Sequence, residues 1–359
     1  NNCDLQTLIA NVNSNPRFLY GAFSDFDSAD TVTFFESCGV PLKTERGNRV
    51  FPVSDKASDI VNALRRYAGA SVKCGQRVSS LITENFCGKT RISGVRLENG
   101  SEIYCNAVIL ATGGMSYPLT GSDGDGYRLA ESVGHSIVTP RPSLVPLEVR
   151  EKWCAQLQGL SLRNVGVKLL GAKGKVLYQD FGELLFTHFG VSGPTVLSAS
   201  CHMKGKGCRL LLDLKPALDE AKLDARILRD LEMYQNRAME NALTDLLPRS
   251  MIPVVLRRLE IAPDMQANSL TKQKRRALVE LLKAFPVEIL GKRPVSEAII
   301  TSGGVKVSEI NPKTMESKLV PGLYFAGEII DCDAYTGGFN LQIAWATAYV
   351  AAGSAAENE

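Results

Sequence analysis

The segment between Gly322 and Ala352 places the strongest constraint on the fold. An apolar run ends in Ala326-Gly327-Glu328, a glycine pair follows at Gly337-Gly338, and an alanine-rich apolar stretch continues to Ala352. This order predicts a buried strand, a tight glycine turn and a helix. The first backbone N–H groups of such a helix have no partner within it, so they and the helix dipole favour an anionic or electron-rich ligand.

A second glycine cluster lies far upstream, where Ala107–Ala111 run directly into Thr112-Gly113-Gly114. That pattern is typical of a parallel strand whose carboxyl end opens onto a ligand crevice. A flavin suits both clusters, because its reduction places negative charge on N1 and the C2 carbonyl, which a helix N-terminus stabilises. Either cluster alone is more typical of an ordinary turn, so the argument depends on the motifs around them.

Further motifs occur along nearly the whole chain. They are Gly47–Ala57 (GNRVFPVSDKA), Ala111–Pro118 (ATGGMSYP), Gly121–Tyr127 (GSDGDGY), Thr187–Pro194 (THFGVSGP) and Thr301–Val305 (TSGGV). With the two glycine clusters, this series resembles the bacterial FAD-dependent flavoproteins labelled NAD(P)/FAD-dependent oxidoreductase, which are aminoacetone-oxidase-like and distantly related to the fumarate reductase flavoproteins. The resemblance implies an α/β fold, in which a Rossmann-like FAD-binding domain carries an inserted β-rich and helical domain.

The chain departs from that family at its start. Family members begin with a strand, a glycine-rich phosphate turn, a helix and an acidic residue for the adenosine ribose. This chain begins at Asn1-Asn2-Cys3, a point resembling the residues just after that block. We therefore expect a fragment that lacks roughly the first βαβ unit, about 30 residues. We also expect the loss to remove most of the affinity for FAD.

Periodicity and composition divide the chain into five segments. We predict the first part of the FAD-binding domain over 1–140, a β-rich insertion over 141–215 and a helical insertion over 216–285. Return strands of the β insertion follow over 286–304, and 305–359 complete the FAD-binding domain. Flavoenzyme substrates commonly bind at domain interfaces, so we expect a small-molecule substrate between the flavin and the insertion.

The resemblance also implies which residues hold FAD. Glu328 occupies the position of a carboxylate that binds the ribityl hydroxyls, although a helix or turn cap would look the same in sequence. Asn340 and Leu341 lend backbone N–H groups to the flavin pyrimidine edge, and Val78 meets the adenine through its backbone. The full set of candidate FAD-binding residues is Val78, Ala111, Thr112, Gly113, Gly114, Gly327, Glu328, Asp331, Gly337, Gly338, Phe339, Asn340 and Leu341.

A general acid or base is harder to identify. His188, within the 187–194 motif, is the better candidate among the histidines, with a purely structural role as the equal alternative. His135 follows a helix and is expected to be structural. Tyr117 and Tyr335 are further candidate proton donors. Cys332 lies near the proposed flavin loop, where a small buried apolar role is favoured over a reactive thiol.

These observations predict an FAD-dependent oxidoreductase that transfers hydride to or from flavin N5. Two reactions stay open: reduction of an enone-type substrate with NAD(P)H as a candidate electron donor, and oxidation of an amine with reoxidation by oxygen. No second Gly-x-Gly-x-x-Gly pattern marks a separate nicotinamide domain. The alternative from another class is a non-catalytic flavin-binding or interaction protein.

Composition excludes several other classes. The chain has 41 Lys and Arg against 38 Asp and Glu, spread evenly, which gives no electrostatic case for a nucleic-acid partner. No apolar stretch approaches the ~20 residues that span a membrane. The nine cysteines are scattered without zinc-site spacing, so we expect no metal and a reducing, cytoplasmic location. The oligomeric state is not indicated.

Overall fold

The structure is a computed structural model that describes residues 1–86, 88–203 and 205–357. The described chain divides into two compact units. Unit 1 consists of Asn1–Ser143 and Pro294–Glu359, and unit 2 of Leu144–Arg293.

The strands, numbered along the chain, are β1 (Leu42–Glu45), β2 (Arg49–Pro52), β3 (Val78–Phe86), β4 (Lys89–Leu97), β5 (Glu102–Tyr104), β6 (Val108–Leu110), β7 (Ile137–Ser143), β8 (Leu147–Val149), β9 (Ser161–Leu170), β10 (Val176–Phe186), β11 (Gly190–Ser192), β12 (Arg209–Asp213), β13 (Phe285–Lys292), β14 (Ile300–Val305) and β15 (Leu323–Phe325). The α-helices are α1 (Leu5–Ala10), α2 (Tyr20–Asp25), α3 (Ser28–Ser37), α4 (Ala57–Ala68), α5 (Asp125–Ser132), α6 (Pro194–Cys201), α7 (Glu220–Met233), α8 (Met239–Ala242), α9 (Ile252–Arg258), α10 (Lys272–Lys283) and α11 (Phe339–Glu357).

A parallel pair of strands lies at the centre of unit 1. β15 runs beside β6, with Leu323 opposite Val108 and Phe325 opposite Leu110. The three residues of β15 are fully buried, as the continuous apolar run in the sequence predicts for a parallel strand. An antiparallel meander, β3-β4-β5, and two antiparallel pairs, β1-β2 and β7-β14, complete the strands of this unit.

The last helix, α11, packs one face into the core of unit 1. Its buried positions recur every three or four residues, which is the spacing of a single helical face, and they are Phe339, Gln342, Ile343, Ala346, Thr347, Val350 and Ala351. The buried Gln342 amide is satisfied on both sides: it accepts from Thr31 Oγ1 at 2.9 Å and donates to the Phe26 carbonyl at 3.1 Å. These bonds fix the helix against α2 and α3.

Unit 2 is a closed antiparallel barrel with helices. Its strand order is β10-β11-β8-β13-β12-β9, and closure leaves no exposed sheet edge among these strands. The interior is filled by apolar side chains such as Val165, Leu210 and Val287. The helices α7 to α10 fall within 216–285, where the sequence pattern is helical.

The return from unit 2 differs from the sequence expectation. The sequence predicts return strands of the β insertion over 286–304, but of the strands there only β13 joins the barrel. β14 instead pairs with β7 inside unit 1, with Ile300 opposite Ser143 and Val305 opposite Ile137. The boundaries between the two units therefore fall at 143/144 and 293/294. The β7–β14 ladder belongs to unit 1, where the backbone groups of the two strands bond to each other.

Candidate functional site

The two glycine clusters of the sequence lie at one edge of the parallel pair. The Ala326 amide donates to the Leu110 carbonyl at 3.0 Å, so the segments that leave β6 and β15 start side by side. Thr112-Gly113-Gly114 follows β6, and Gly327-Glu328 follows β15. In parallel sheets this carboxyl edge is where ligands bind.

A chain of hydroxyl groups connects Glu328 to the turn after β6. Thr301 Oγ1 accepts from the amides of Met115, at 2.8 Å, and Ser116, at 3.2 Å. Ser116 Oγ donates to Glu328 Oε1 at 3.0 Å, so in its 3.1 Å contact with Thr301 Oγ1 it is the acceptor. The Thr301 amide also donates to Glu328 Oε1, at 2.7 Å. The hydroxyl groups of Thr301 and Ser116 thus each donate one hydrogen bond and accept at least one.

Gly114 is required by the close approach of these groups. A Cβ at this position would lie 2.6 Å from Glu328 Oε1, a separation that real Cβ atoms do not show. The carboxylate is therefore held against the turn, with Oε1 taking both bonds. Oε2 has no hydrogen-bond partner within the described part of the chain, which leaves it available to a ligand.

The N-terminus of α11 supplies free backbone donors. The first main-chain bond of the helix runs from the Gln342 amide to the Gly338 carbonyl, at 3.0 Å, so the amides of Phe339, Asn340 and Leu341 precede the helical ladder. Gly338 has φ +93°, a conformation that favours glycine. Asn1 lies against this turn, with its Nδ2 donating to the Gly337 carbonyl at 2.8 Å.

The side chain of Asn340 fixes the loop that precedes the helix. Its Oδ1 accepts from the Ala334 amide at 2.8 Å, and its Nδ2 donates to the Ala334 carbonyl at 2.8 Å and the Tyr335 carbonyl at 3.2 Å. The sequence assigned Asn340 a backbone role only. Its side chain holds Ala334 and Tyr335 in the loop before the helix.

Two aspartates follow Glu328 in the same loop. Asp333 is buried, and its carboxylate accepts from the hydroxyls of Ser14 at 2.5 Å, Ser302 at 3.0 Å and Ser143 at 3.2 Å. Asp331 is half-buried and accepts from Asn15 Nδ2 at 3.0 Å. Burial is the main cause that raises the pKa of Asp331.

These groups fit FAD. Glu328 Oε2 suits the ribityl hydroxyls, and the leading amides of α11 suit the electron-rich pyrimidine edge. The buried Tyr127 hydroxyl has no hydrogen-bond partner among the described residues, and its pKa is raised by burial and by the charges of Glu328 and Asp331. The site thus presents both donors and a free carboxylate oxygen to a polar cofactor, and the FAD-binding roles of Glu328 and Leu341 stay predictions.

Comparison with known proteins identifies the family. The family described as HI0933-like protein Rossmann domain matches residues 1–354. The chain belongs to the HI0933-like family. This membership confirms the predicted FAD-dependent oxidoreductase family, with its α/β Rossmann-type fold, and it decides for an enzyme over a non-catalytic flavin-binding protein.

Curated relatives share most of this HI0933-like chain. A 3-dehydro-bile acid delta(4,6)-reductase of Clostridium scindens is 31% identical over 352 residues, 96% of this chain and 84% of the relative. Ribosomal RNA dihydrouridine synthases of Escherichia coli and Haemophilus influenzae are each 30% identical, over 96% and 95% of this chain and 83% of each relative. A solved mutant E. coli quinol fumarate reductase aligns over all of this chain and 61% of its own, with 15% identity and a TM-score of 0.44.

Three other candidate residues of this HI0933-like protein have the following surroundings. Val78 begins β3 opposite Leu97. His188 is exposed in the β10–β11 turn of unit 2, with its ring centroid 4.9 Å from that of Phe189, and its role as acid or base stays a prediction. Cys332 is buried, and burial raises the pKa of its thiol, which supports the apolar interpretation.

Sequence reasoning missed Thr301, Ser116, Asn15 and Arg141. Thr301 and Ser116 lie inside the motifs Thr301–Val305 and Ala111–Pro118. Their hydroxyl groups, which can both donate and accept hydrogen bonds, are the sequence signal that could have identified them. No spacing in the sequence indicates Asn15 or Arg141. Within the described ranges, no group of three or more His, Cys, Asp or Glu could hold a metal ion, and no helix combines the length and apolarity needed to cross a membrane.

Proposed function

We propose that this protein reduces a carbon–carbon double bond conjugated with a carbonyl group, and that NAD(P)H supplies the electrons through FAD. The observation that carries the proposal is that two kinds of relative, similar over more than nine-tenths of the chain, have names that describe one chemical change. A 3-dehydro-bile acid delta(4,6)-reductase saturates ring double bonds conjugated with a ketone. A dihydrouridine synthase saturates a ring double bond of uracil, which is conjugated with a carbonyl.

The geometry of unit 1 supports a flavin reaction of this kind. When bound and reduced, FAD supplies the hydride that such a bond accepts. Glu328, held by Thr301 and Ser116, would bind the ribityl chain, and the free amides of α11 would stabilise negative charge at the pyrimidine edge. The chain's residues thus position the cofactor and stabilise its reduced form.

We further propose a small-molecule substrate and a cytoplasmic location. The near balance of charge gives no electrostatic support for an RNA partner. The eight cysteines in the described ranges are free thiols, which fits a reducing compartment.

The test is anaerobic turnover by the protein loaded with FAD. NADPH or NADH is added first, and loss of the flavin absorption band reports reduction of the cofactor. Three oxidants are then offered separately: a steroid 3-keto-4,6-diene, free uridine and a ribosomal RNA transcript. Mass spectrometry of each product detects the gain of two hydrogens, and a parallel aerobic sample with an amine panel tests the oxidase reaction.

We expect bleaching by a reduced nicotinamide and hydrogenation of the steroid dienone. Hydrogenation of the RNA transcript alone would overturn the small-molecule proposal while keeping the chemistry. If only an amine bleaches the flavin and oxygen is consumed, the protein is an oxidase and the reductase proposal is wrong. Bleaching followed by no product from any conjugated substrate would refute the proposed function.

A further inference from the structure

A polar pocket of 340 Å³ lies in unit 1 beside the loop that carries Glu328. It is built by β7, by β14, by the turn after α1 and by the start of the Asp331 loop. The residues that matter for its chemistry are Asn15, Thr139, Arg141, Ser302, Gly303 and Asp331.

Asp331 is the only carboxyl group among the described residues that line this pocket. Asn15 Nδ2 donates to its Oδ2 at 3.0 Å and to its backbone carbonyl at 2.6 Å, which fixes the side chain. Burial is the first cause that raises the pKa of Asp331, and the charge of Asp333 raises it further. The Asn15 bond, the Arg141 charge and the Gly303 amide act in the opposite direction. A half-buried carboxyl without an ion pair, placed in a pocket, is suited to proton transfer.

Arg141 brings positive charge to the same pocket. It lies on β7, where it pairs in register with Ser302 of β14. No carboxylate lies within ion-pair distance of its guanidinium in the described part of the chain. An unpaired guanidinium is a strong partner for an oxygen that gains negative charge.

The pocket and the FAD-binding edge share their segments. Ser302 and Gly303 directly follow Thr301, which contacts Glu328 through its amide, and Asp331 is three residues beyond Glu328. The two segments that carry Thr301 and Glu328 therefore also supply residues that line the pocket.

We propose that this pocket binds the carbonyl end of the conjugated substrate, with Arg141 contacting the carbonyl oxygen and Asp331 donating the proton to the α-carbon. The inference rests on the function proposed above. Hydride arrives at the β-carbon, the π electrons move to form the enolate, and Arg141 holds its oxygen. The enolate then takes the Asp331 proton at the α-carbon, which restores the carbonyl, and the carboxylate regains a proton from water. The product has gained one hydride and one proton.

The test separates the two half-reactions by stopped-flow spectroscopy. In Asp331→Asn, the amide cannot supply the proton, so we expect oxidation of the reduced flavin by substrate to slow by roughly 10²–10⁴-fold. Reduction of the flavin by the nicotinamide is measured separately in the same variant, and its rate should fall by much less than that of the substrate step. The wild-type substrate step should slow as pH rises and Asp331 loses its proton, and the variant should lose that dependence. Asp25→Asn, at an exposed carboxylate of α2, is the matched control.

A second variant keeps the test valid if Asp331→Asn fails to fold. Asp331→Ala should be equally slow, and added acetic acid should restore part of its rate, which a purely structural role would not allow. If Asp331→Asn keeps the wild-type rate and pH profile, the inference is wrong while the reductase stands. If the wild-type protein reduces no conjugated substrate, the proposed function fails and takes this inference with it.

Discussion

Replacing Thr301 with valine tests the hydroxyl chain that fixes Glu328. Valine has nearly the volume of threonine and leaves no cavity, so the change replaces the hydroxyl group with a methyl group of similar size. The amides of Met115 and Ser116 then lose their acceptor in a site where Thr301 is 1% exposed. A buried N–H group without a partner costs about 1–3 kcal/mol. The Ser116 bond is the longer one, so we expect a total loss of about 2–4 kcal/mol in the free energy of unfolding of unit 1.

The assay exploits the position of the two tryptophans. Trp153 lies in unit 2, and Trp345 lies on α11 of unit 1, edge-to-face with Phe35 at 5.3 Å. In a Trp153→Phe background, fluorescence during urea unfolding therefore reports unit 1 alone. The midpoint should fall with no change in the slope of free energy against urea, because the surface exposed on unfolding is the same.

The control is Thr33→Val on α3. The Thr33 hydroxyl donates to the Ala29 carbonyl at 2.9 Å but is exposed, so its loss should change the stability by less than about 0.5 kcal/mol. The reasoning is refuted if Thr301→Val shifts the midpoint no more than this control does.

Three further predictions concern the same unit. Glu328→Gln should weaken FAD binding by roughly 10–100-fold, because hydrogen bonds to a charged group contribute about 1.5–3 kcal/mol. A fluorescence titration with FAD measures the affinity, and an unchanged affinity would contradict the ribityl role. Gly338→Ala should destabilise unit 1 by about 1–3 kcal/mol through its backbone conformation, which the Trp345 assay detects. Burial lowers the pKa of His135, so its contribution to stability should be complete above about pH 6.5 and be lost as pH falls through the folded value. His135→Gln should flatten the stability profile in that range, and an unaltered profile would exclude the histidine as its source.

Local sequence patterns predicted the regular elements well, because each depends on neighbouring residues. Helix α3 begins with a capping box between Asp27 and Asp30, which is a signal from residues close together in the chain. The apolar run before Glu328 is the fully buried β15, and the glycine turn before Phe339 opens α11. These features also carried the family resemblance.

Elements with long-range partners were predicted less well. Residues 102–111 form two short strands, β5 and β6, which pair with different neighbours. β14 was expected beside the barrel and pairs with β7 instead. Strand pairing depends on residues far apart in the chain, which periodicity does not encode.

The sequence by itself determined the strand–turn–helix elements, the set of backbone donors at α11 and the flavin class of chemistry, since these follow from residue types in local order. Only the tertiary structure decided which side chains share the site. The Asp333 carboxylate collects hydroxyls from Ser14, Ser143 and Ser302, which lie 319, 190 and 31 residues from it. Asn15, which lies 316 residues away in the chain, donates to Asp331 in the same way. Neighbouring residues in a strand point their side chains to opposite faces, so one segment cannot surround a carboxylate by itself. Such contacts form only when distant segments pack together.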